Sequence, residues 1–257
     1  PGSVYQFTEL IAGRVDLVIT LIDNIIAYRE GQGEVPMSAD DLFSFMALDT
    51  RVYPALVTLP EIKTYDDLRG KTLSVDATTT GYALMLYAML EAGGLKRGDY
   101  KIESVGGVRQ RYDAILERKH AGALFNSPFE GLLIARGYTA FDTAKRVVGH
   151  YQGMVGAARH QWADTHRSAV AGFIRAQLDA LAWLYDPAHH DAAFATFVRN
   201  QPGADEAAAR TAYAVLFDAK TGMPVDGQLD QRGLRNVLDR EELKSKCKNS
   251  PFDEAKM

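Results

Sequence analysis

Thr78, Thr79 and Thr80 stand in a row inside LSVDATTTGYAL (residues 73–84), between a short apolar run and a periodic helical segment. Threonine is a middling helix former, but its hydroxyl accepts the free backbone N–H of a helix start. Three hydroxyls and several unpaired N–H donors at one turn can cap the helix, or they can hold an anion or a ring heteroatom. Similar polar tips recur along the chain. Asp23 and Asn24 follow the apolar run VDLVIT, Thr50 and Arg51 follow FMAL, and Asn126 follows AGALF. Tyr53, Tyr82 and Phe129 lie close to these tips in sequence and offer flat faces for stacking. Such a set suits non-covalent capture of a small organic molecule. Each member has a plainer use: Asp, Asn and Thr cap helices, aromatics at helical spacing fill cores, and a lone arginine is often a solvated surface cation.

Signals for covalent chemistry are poor. His189 and His190 are adjacent, so on a helix they diverge and do not form an i,i+4 metal pair. No G-x-S-x-G, H-E-x-x-H or P-loop pattern occurs, and GQG at residues 31–33 lacks the rest of a dinucleotide fingerprint. The single cysteine, Cys247, builds neither an internal disulfide nor a thiolate cluster. The sequence therefore points to no catalytic residue, no metal site and no cofactor.

The elements that would position these tips alternate. Ser3 reads as a helix cap with Gln6 as its box partner, ahead of Val4, Phe7, Leu10 and Ile11 on one face. VDLVIT, LFSFMAL, PALVTL, TLSV, YKIESV, AGALF, RVVG and GMVGAA read as strands. Helices are expected over Thr79–Ala92, over VRQRYDAILERK, and over NSPFEGLLIARG, where Ser127 caps, Pro128 opens the helix and Glu130 completes the box. From about Asp164 onward the pattern is helical, with segments at Asp191–Asn200 and Asp205–Asp218 and a last helix from Gln231. This alternation argues for an α/β protein with mostly parallel sheets covered on both faces. In such sheets ligands bind beyond the carboxyl ends of strands, which is where the polar tips lie.

The 257 residues are enough for one large domain or two lobes, and 47% apolar with 24% charged is ordinary for a globular chain. Net charge is −4 with basic residues dispersed, so a nucleic-acid partner finds no support. No apolar run is long enough to span a bilayer.

The order of segments carries a further signal. L-x-x-G-x-V-D-L (residues 10–17) leads into DNIIAYREGQG (23–33); DDLRGKTLSVD (66–76), a Thr-rich turn with its helix, and YDAILERKHAGALF (112–125) follow. This arrangement resembles the NMT1/THI5-like substrate-binding proteins of ABC importers, of the SsuA and TauA type. The resemblance implies a type II periplasmic-binding-protein fold: two α/β lobes joined by two crossover strands, with a helical C-terminal tail on lobe one. It places lobe one at 1–57 and 158–257, lobe two at 58–157, and the crossings at ALVTL and GMVGAA. It implies a periplasmic monomer that captures a small planar or anionic solute (a sulfonate, carboxylate, aromatic acid or pyrimidine) and delivers it to a membrane permease. The expected contacts are Asp23, Asn24, Thr50, Arg51, Tyr53, Thr78, Thr79, Thr80, Tyr82, Asn126 and Phe129. Family members begin with a further strand, loop and helix, and the sequence is read as lacking them. Two other readings stay open: a pyrimidine-processing enzyme of the THI5-like group, without that group's cysteine-rich motif here, and the effector-sensing domain of a transcription regulator.

Overall fold

The computed structural model describes residues 2–37, 40–49, 53–200, 206–218 and 222–239. In chain order the first elements are α1 (Ser3–Ile11), β1 (Leu17–Leu21), α2 (Ile22–Arg29), β2 (Leu42–Ala47) and β3 (Ala55–Thr58). A compact series follows: β4 (Thr72–Val75), α3 (Gly81–Ala92), β5 (Lys101–Ser104), α4 (Val108–Leu116), β6 (Gly122–Phe125), α5 (Phe129–Ile134), β7 (Thr139–Thr143) and α6 (Lys145–Val148). The chain ends with β8 (Met154–Arg159), α7 (His160–Thr165), α8 (Arg167–Tyr185), α9 (His190–Arg199), α10 (Glu206–Leu216) and α11 (Gln231–Leu238).

Two sheets organise two α/β lobes. Lobe one holds a three-stranded sheet in the order β1-β8-β2, and lobe two a five-stranded sheet in the order β5-β4-β6-β3-β7. β8 runs antiparallel to both β1 and β2, so those two share one direction. β4 is parallel to β5 and β6, whereas β3 is antiparallel to β6 and β7. Each sheet therefore has one direction apart from a single reversed strand, and because that strand has neighbours on both sides, four of the six pairings are antiparallel, against the mostly parallel sheets expected. That strand is the one entering from the other lobe. Strand-helix alternation reports the direction of the parallel strands and says nothing about a strand that arrives from elsewhere.

β3 and β8 do not themselves cross between lobes. The boundaries expected at 57/58 and 157/158 would cut through them, but their pairings assign each strand whole to one sheet. The chain changes sheet between Ala47 and Ala55 and again between Val148 and Met154. These crossings lie side by side: the Leu48 and Asp49 amides donate to the Met154 carbonyl at 2.8 and 3.1 Å, and the Gly153 amide donates to the Asp49 carbonyl at 3.0 Å.

The core is built as the apolar patterns require. β4, β6 and β3 bring Leu73, Val75, Ala123, Leu124, Phe125, Leu56 and Val57 into lobe two, all essentially without solvent exposure. α3 is apolar nearly all round, with Ala83, Leu84, Met85, Leu86, Tyr87, Met89 and Leu90 buried, so it sits inside the molecule rather than on its surface. α2 is buried from Ile22 to Tyr28 and touches α3 across the lobes. α8 lies on lobe one through Phe173, edge-on to Phe45 at 5.7 Å. The tail also extends to lobe two, where α10 contacts α5. Among the described residues no helix is long and apolar enough to cross a membrane.

Several local expectations differ from the structure. RVVG is the end of α6 and not a strand, and β7 takes the edge position beside β3. Four residues with two adjacent valines fit either element; strand pairing at Thr139–Thr143 decides it. Gly2, not Ser3, caps α1, because the Ser3 hydroxyl is committed to Asp76 at 2.9 Å. Ser127 does not cap α5. It donates to the Glu130 carboxylate at 2.5 Å, its bond to Pro128 is cis, and Pro128 precedes the helix.

Candidate functional site

The site is best built outward from the first turn of α3. Thr80 is its N-cap, accepting from the Ala83 amide at 3.5 Å and donating to Asp76 Oδ1 at 2.6 Å. The first helical amide, that of Gly81, points across the lobe boundary. Its partner is Asp23 in the first turn of α2, which follows β1 without a loop. Asp23 is 1% exposed; its Oδ1 also accepts from the Tyr151 hydroxyl at 2.8 Å, while Oδ2 has no partner. Burial raises its carboxyl to about 6. The bonds from Tyr151 and Gly81 act against that rise, and nearby Asp76 adds to it. The positive end of the α3 dipole thus holds a carboxylate supplied by the other lobe.

A Cβ on Gly81 would run into Asp23 Oδ1 and the Tyr151 hydroxyl oxygen, so only glycine permits this approach. Two more contacts join the lobes at the same mouth. Ser3 reaches Asp76, as described, and Glu34 receives the Thr78 hydroxyl at 3.3 Å and the Thr79 hydroxyl at 3.0 Å, with the Thr79 amide at 3.3 Å. Bonds to a charged acceptor contribute about 1.5–3 kcal/mol when protected and less when exposed. Glu34→Ala is therefore expected to shift the lobes toward separation by about 1 kcal/mol, roughly a fivefold change in the open-to-closed ratio. An increase in radius of gyration by small-angle scattering reports it; an unchanged radius sinks the clasp assignment.

Behind this mouth lies Tyr82. The Arg111 guanidinium sits over its ring at 4.8 Å, and its hydroxyl accepts from Asn126 Nδ2 at 2.8 Å. Tyr82 keeps some surface in water, yet its hydroxyl is pushed up to about 12, chiefly by burial. Arg111 opposes that rise, and Asp76, Asp49 and Asp23 add to it. The phenol is therefore neutral at physiological pH and able to donate. Arg111 is 2% exposed, and its Nε and Nη1 lack partners. The Asn126 Oδ1 is buried without a partner as well.

The sequence-expected residues divide by role. Asp23, Thr80, Tyr82 and Asn126 converge around the start of α3. Thr78 and Thr79 face the same boundary but grip Glu34. Asn24 turns back to Thr20 Oγ1 at 3.1 Å within its own lobe. Phe129 packs edge-on against Tyr112 at 5.3 Å. Tyr53 donates to the Gly149 carbonyl at 2.5 Å, linking the two crossings. Thr50 and Arg51 lie outside the described residues. Arg111, Tyr151, Glu34 and Asp76 were not among the expectations. Arg111 did leave a trace: Val108, Arg111, Tyr112 and Ile115 share one helical face, so an arginine stands in an apolar stripe. Tyr151 and Glu34 left none, because what they touch is set by the meeting of the lobes.

The arrangement presents a carboxylate, a guanidinium, an amide and a phenol in an enclosed junction between two bodies. Comparison with solved structures agrees on the fold. The alkanesulfonate-binding protein SsuA from Xanthomonas axonopodis pv. citri, bound to MOPS, matches with a TM-score of 0.76 at 14% identity, covering 98% of this chain and 82% of that one. The periplasmic aliphatic sulphonate binding protein SsuA from Escherichia coli matches with a TM-score of 0.69 at 14% identity, covering 98% and 77%. The desulfurization enzyme DSZB has a TM-score of 0.60 at 14% identity, covering 91% and 80%. None of the curated proteins matches the chain in sequence. The model of the NMT1-like family matches residues 5–198, which takes in both sheets and all of the junction around α3 except Ser3. With that match across most of its length and the periplasmic-binding-protein fold beneath it, the chain belongs to the NMT1-like family.

Proposed function

We propose that this protein is the solute receptor of an ABC importer, working in the periplasm as a monomer and passing its solute to a membrane permease. The observation that carries the reading is the junction at α3, where buried polar groups from both lobes and one crossing converge with unmatched hydrogen-bonding capacity. The lobes divide, in this proposal, into residues 2–48 with 154–239 and residues 55–148. Separation of the lobes bares Asp23, Gly81, Tyr82 and Arg111; closure on a solute satisfies them. Binding then shifts the population toward the closed form, which is the form a permease reads. The fold shared with sulfonate-binding proteins supports this assignment. The likeness to DSZB makes a turnover assay the proper control.

The test is a thermal-shift screen over sulfonates, carboxylates, aromatic acids, pyrimidines and their amino derivatives, with native mass spectrometry of the purified protein beside it. A solute present at 100 times its dissociation constant adds about 2.7 kcal/mol to stability. For a chain of this length that raises Tm by about 5–11 °C. A screen without any shift, together with a purified protein that carries no bound mass, defeats the receptor reading. Product formation from a binding compound replaces it with an enzyme.

A further inference from the structure

α8 is seated on lobe one. Phe173 meets Phe45 of β2 edge-on at 5.7 Å. Leu178 of α8 and Met46 of β2 both lie against Gly227, whose carbonyl accepts the Ala47 amide at 2.8 Å. α9 and α10 are fastened to α8 through aromatic rings. Tyr213 of α10 stands edge-on to Phe194 and Phe197 of α9, each at 5.6 Å, and its hydroxyl donates to the Leu184 carbonyl of α8 at 3.5 Å. Phe217, just past α10, meets Tyr185 of α8 edge-on at 6.0 Å. The Tyr185 hydroxyl donates to the Met223 carbonyl at 2.7 Å. Interlocked rings pack as densely as a core and yield little to strain. The three helices therefore move as one body with lobe one.

That body reaches across the lobe boundary. α10 contacts α5, the helix that links β6 to β7 in lobe two. Ala208 of α10 packs against the apolar core to which Leu132 and Leu133 of α5 belong. Ala208 stands within EAAARTAYAVL (residues 206–216), a segment rich in alanine. An alanine side chain buries little apolar area, so a contact made through it holds two bodies together and still parts at modest cost. Two lobes hinged at their crossings and bridged by a helix cannot separate unless that helix lifts off one of them.

We propose that α10 is a latch: it moves with lobe one, rests on α5 of lobe two in the closed form, and comes off α5 when the lobes part, so that its grip sets how often the protein opens. The proposal goes beyond the receptor reading; it uses the parting of the lobes put forward above and no property of the solute.

Ala208→Arg tests the latch against Ala207→Arg, the same change one residue away at a position exposed to solvent. Both are made in the full chain and studied without solute. Ala208→Arg is expected to raise the open-to-closed ratio by at least about fivefold, the low end of what overpacking does. Small-angle scattering then shows a larger radius of gyration. Hydrogen exchange at the Leu132 and Leu133 amides quickens as α5 loses its cover, while amides of β4 and α9 keep their parent rates. Ala207→Arg leaves both measurements at parent values. Circular dichroism verifies the fold of each variant, and Ala208→Leu stands in if the arginine variant does not fold. An unchanged radius with unchanged exchange in α5 overturns the latch. So does a larger radius with α5 still protected, since α10 then travels with lobe two. Exchange that quickens equally in α5 and α9 also overturns it, because the tail is then coming loose as a whole. If Glu34→Ala and Gly81→Ala leave the radius unchanged as well, the parting of the lobes falls along with the latch.

Discussion

Gly81→Ala is expected to leave α3 folded and to hold the lobes apart, weakening solute binding by about 5- to 150-fold, the range set by 1–3 kcal/mol of overpacking. The substitution does not harm the helix. Gly81 does not have a positive φ, and alanine in a helix is favoured over glycine by about 1 kcal/mol. Damage comes from across the boundary. A Cβ at this point meets Asp23 Oδ1, from lobe one, and the Tyr151 hydroxyl, from a crossing. Neither is the far end of a mobile surface chain, since Asp23 and Tyr151 are both buried and bonded to each other. Scattering should therefore show a larger radius of gyration, circular dichroism an unchanged helix content, and calorimetry a weaker solute. An affinity within about threefold of the parent protein would show that this contact does not govern closure.

Asp23→Asn should raise stability at pH 8. Burial holds the Asp23 carboxyl at about 6, against an ordinary value of 3.8. The folded protein therefore holds this proton more tightly than the unfolded chain does. Stability from that proton is fully present below pH 3.8 and is lost as pH rises through about 6. The difference of about 2 pH units corresponds to roughly 3 kcal/mol. Asparagine accepts from Tyr151 and Gly81 as the carboxylate does and carries no charge to desolvate. At pH 8 its Tm is expected to exceed the parent's by about 6–12 °C, with the gap closing near pH 4. A gap of equal size at both pH values would place the cause in packing rather than in charge. A lower Tm at pH 8 would mean that the ionised group is a net stabiliser.

How much of this was legible in the sequence depends on distance along the chain. Strands such as TLSV and AGALF, the glycine-closed helix α3, and the helical tail all announce themselves through local periodicity. α9 and α10 begin and end within about two residues of expectation and α11 begins at Gln231 as expected, whereas the run expected from about Asp164 divides into α7 and α8. The convergence of Asp23, Thr80, Tyr82 and Asn126 was reachable because each follows a strand, and strand ends gather at one edge of an α/β sheet. Pairings across the lobes were not reachable. Glu34 lies 44 residues from Thr78, and Tyr151 lies 128 residues from Asp23. Nothing in a local pattern encodes such a meeting. For the same reason Thr78 and Thr79 look like free solute donors in the sequence and prove to be occupied. Ser127 misled in the opposite sense: residue types suited to a capping box bonded each other instead of the backbone.

The paired crossings have a mechanical consequence. Two adjacent ribbons bonded at Leu48, Asp49 and Gly153 resist torsion far better than a single tether. Tyr53 ties them again at Gly149. On one flank α11 is pressed against them so closely that a Cβ on Gly233 would meet the Gln152 amide nitrogen at 2.5 Å. Were the lobes to part as proposed, such a mounting would favour the swing of a door hinge over the freedom of a ball joint. In the receptor reading proposed above, the facing surfaces then meet in the same register at every closure, and a guest is measured against a fixed gauge.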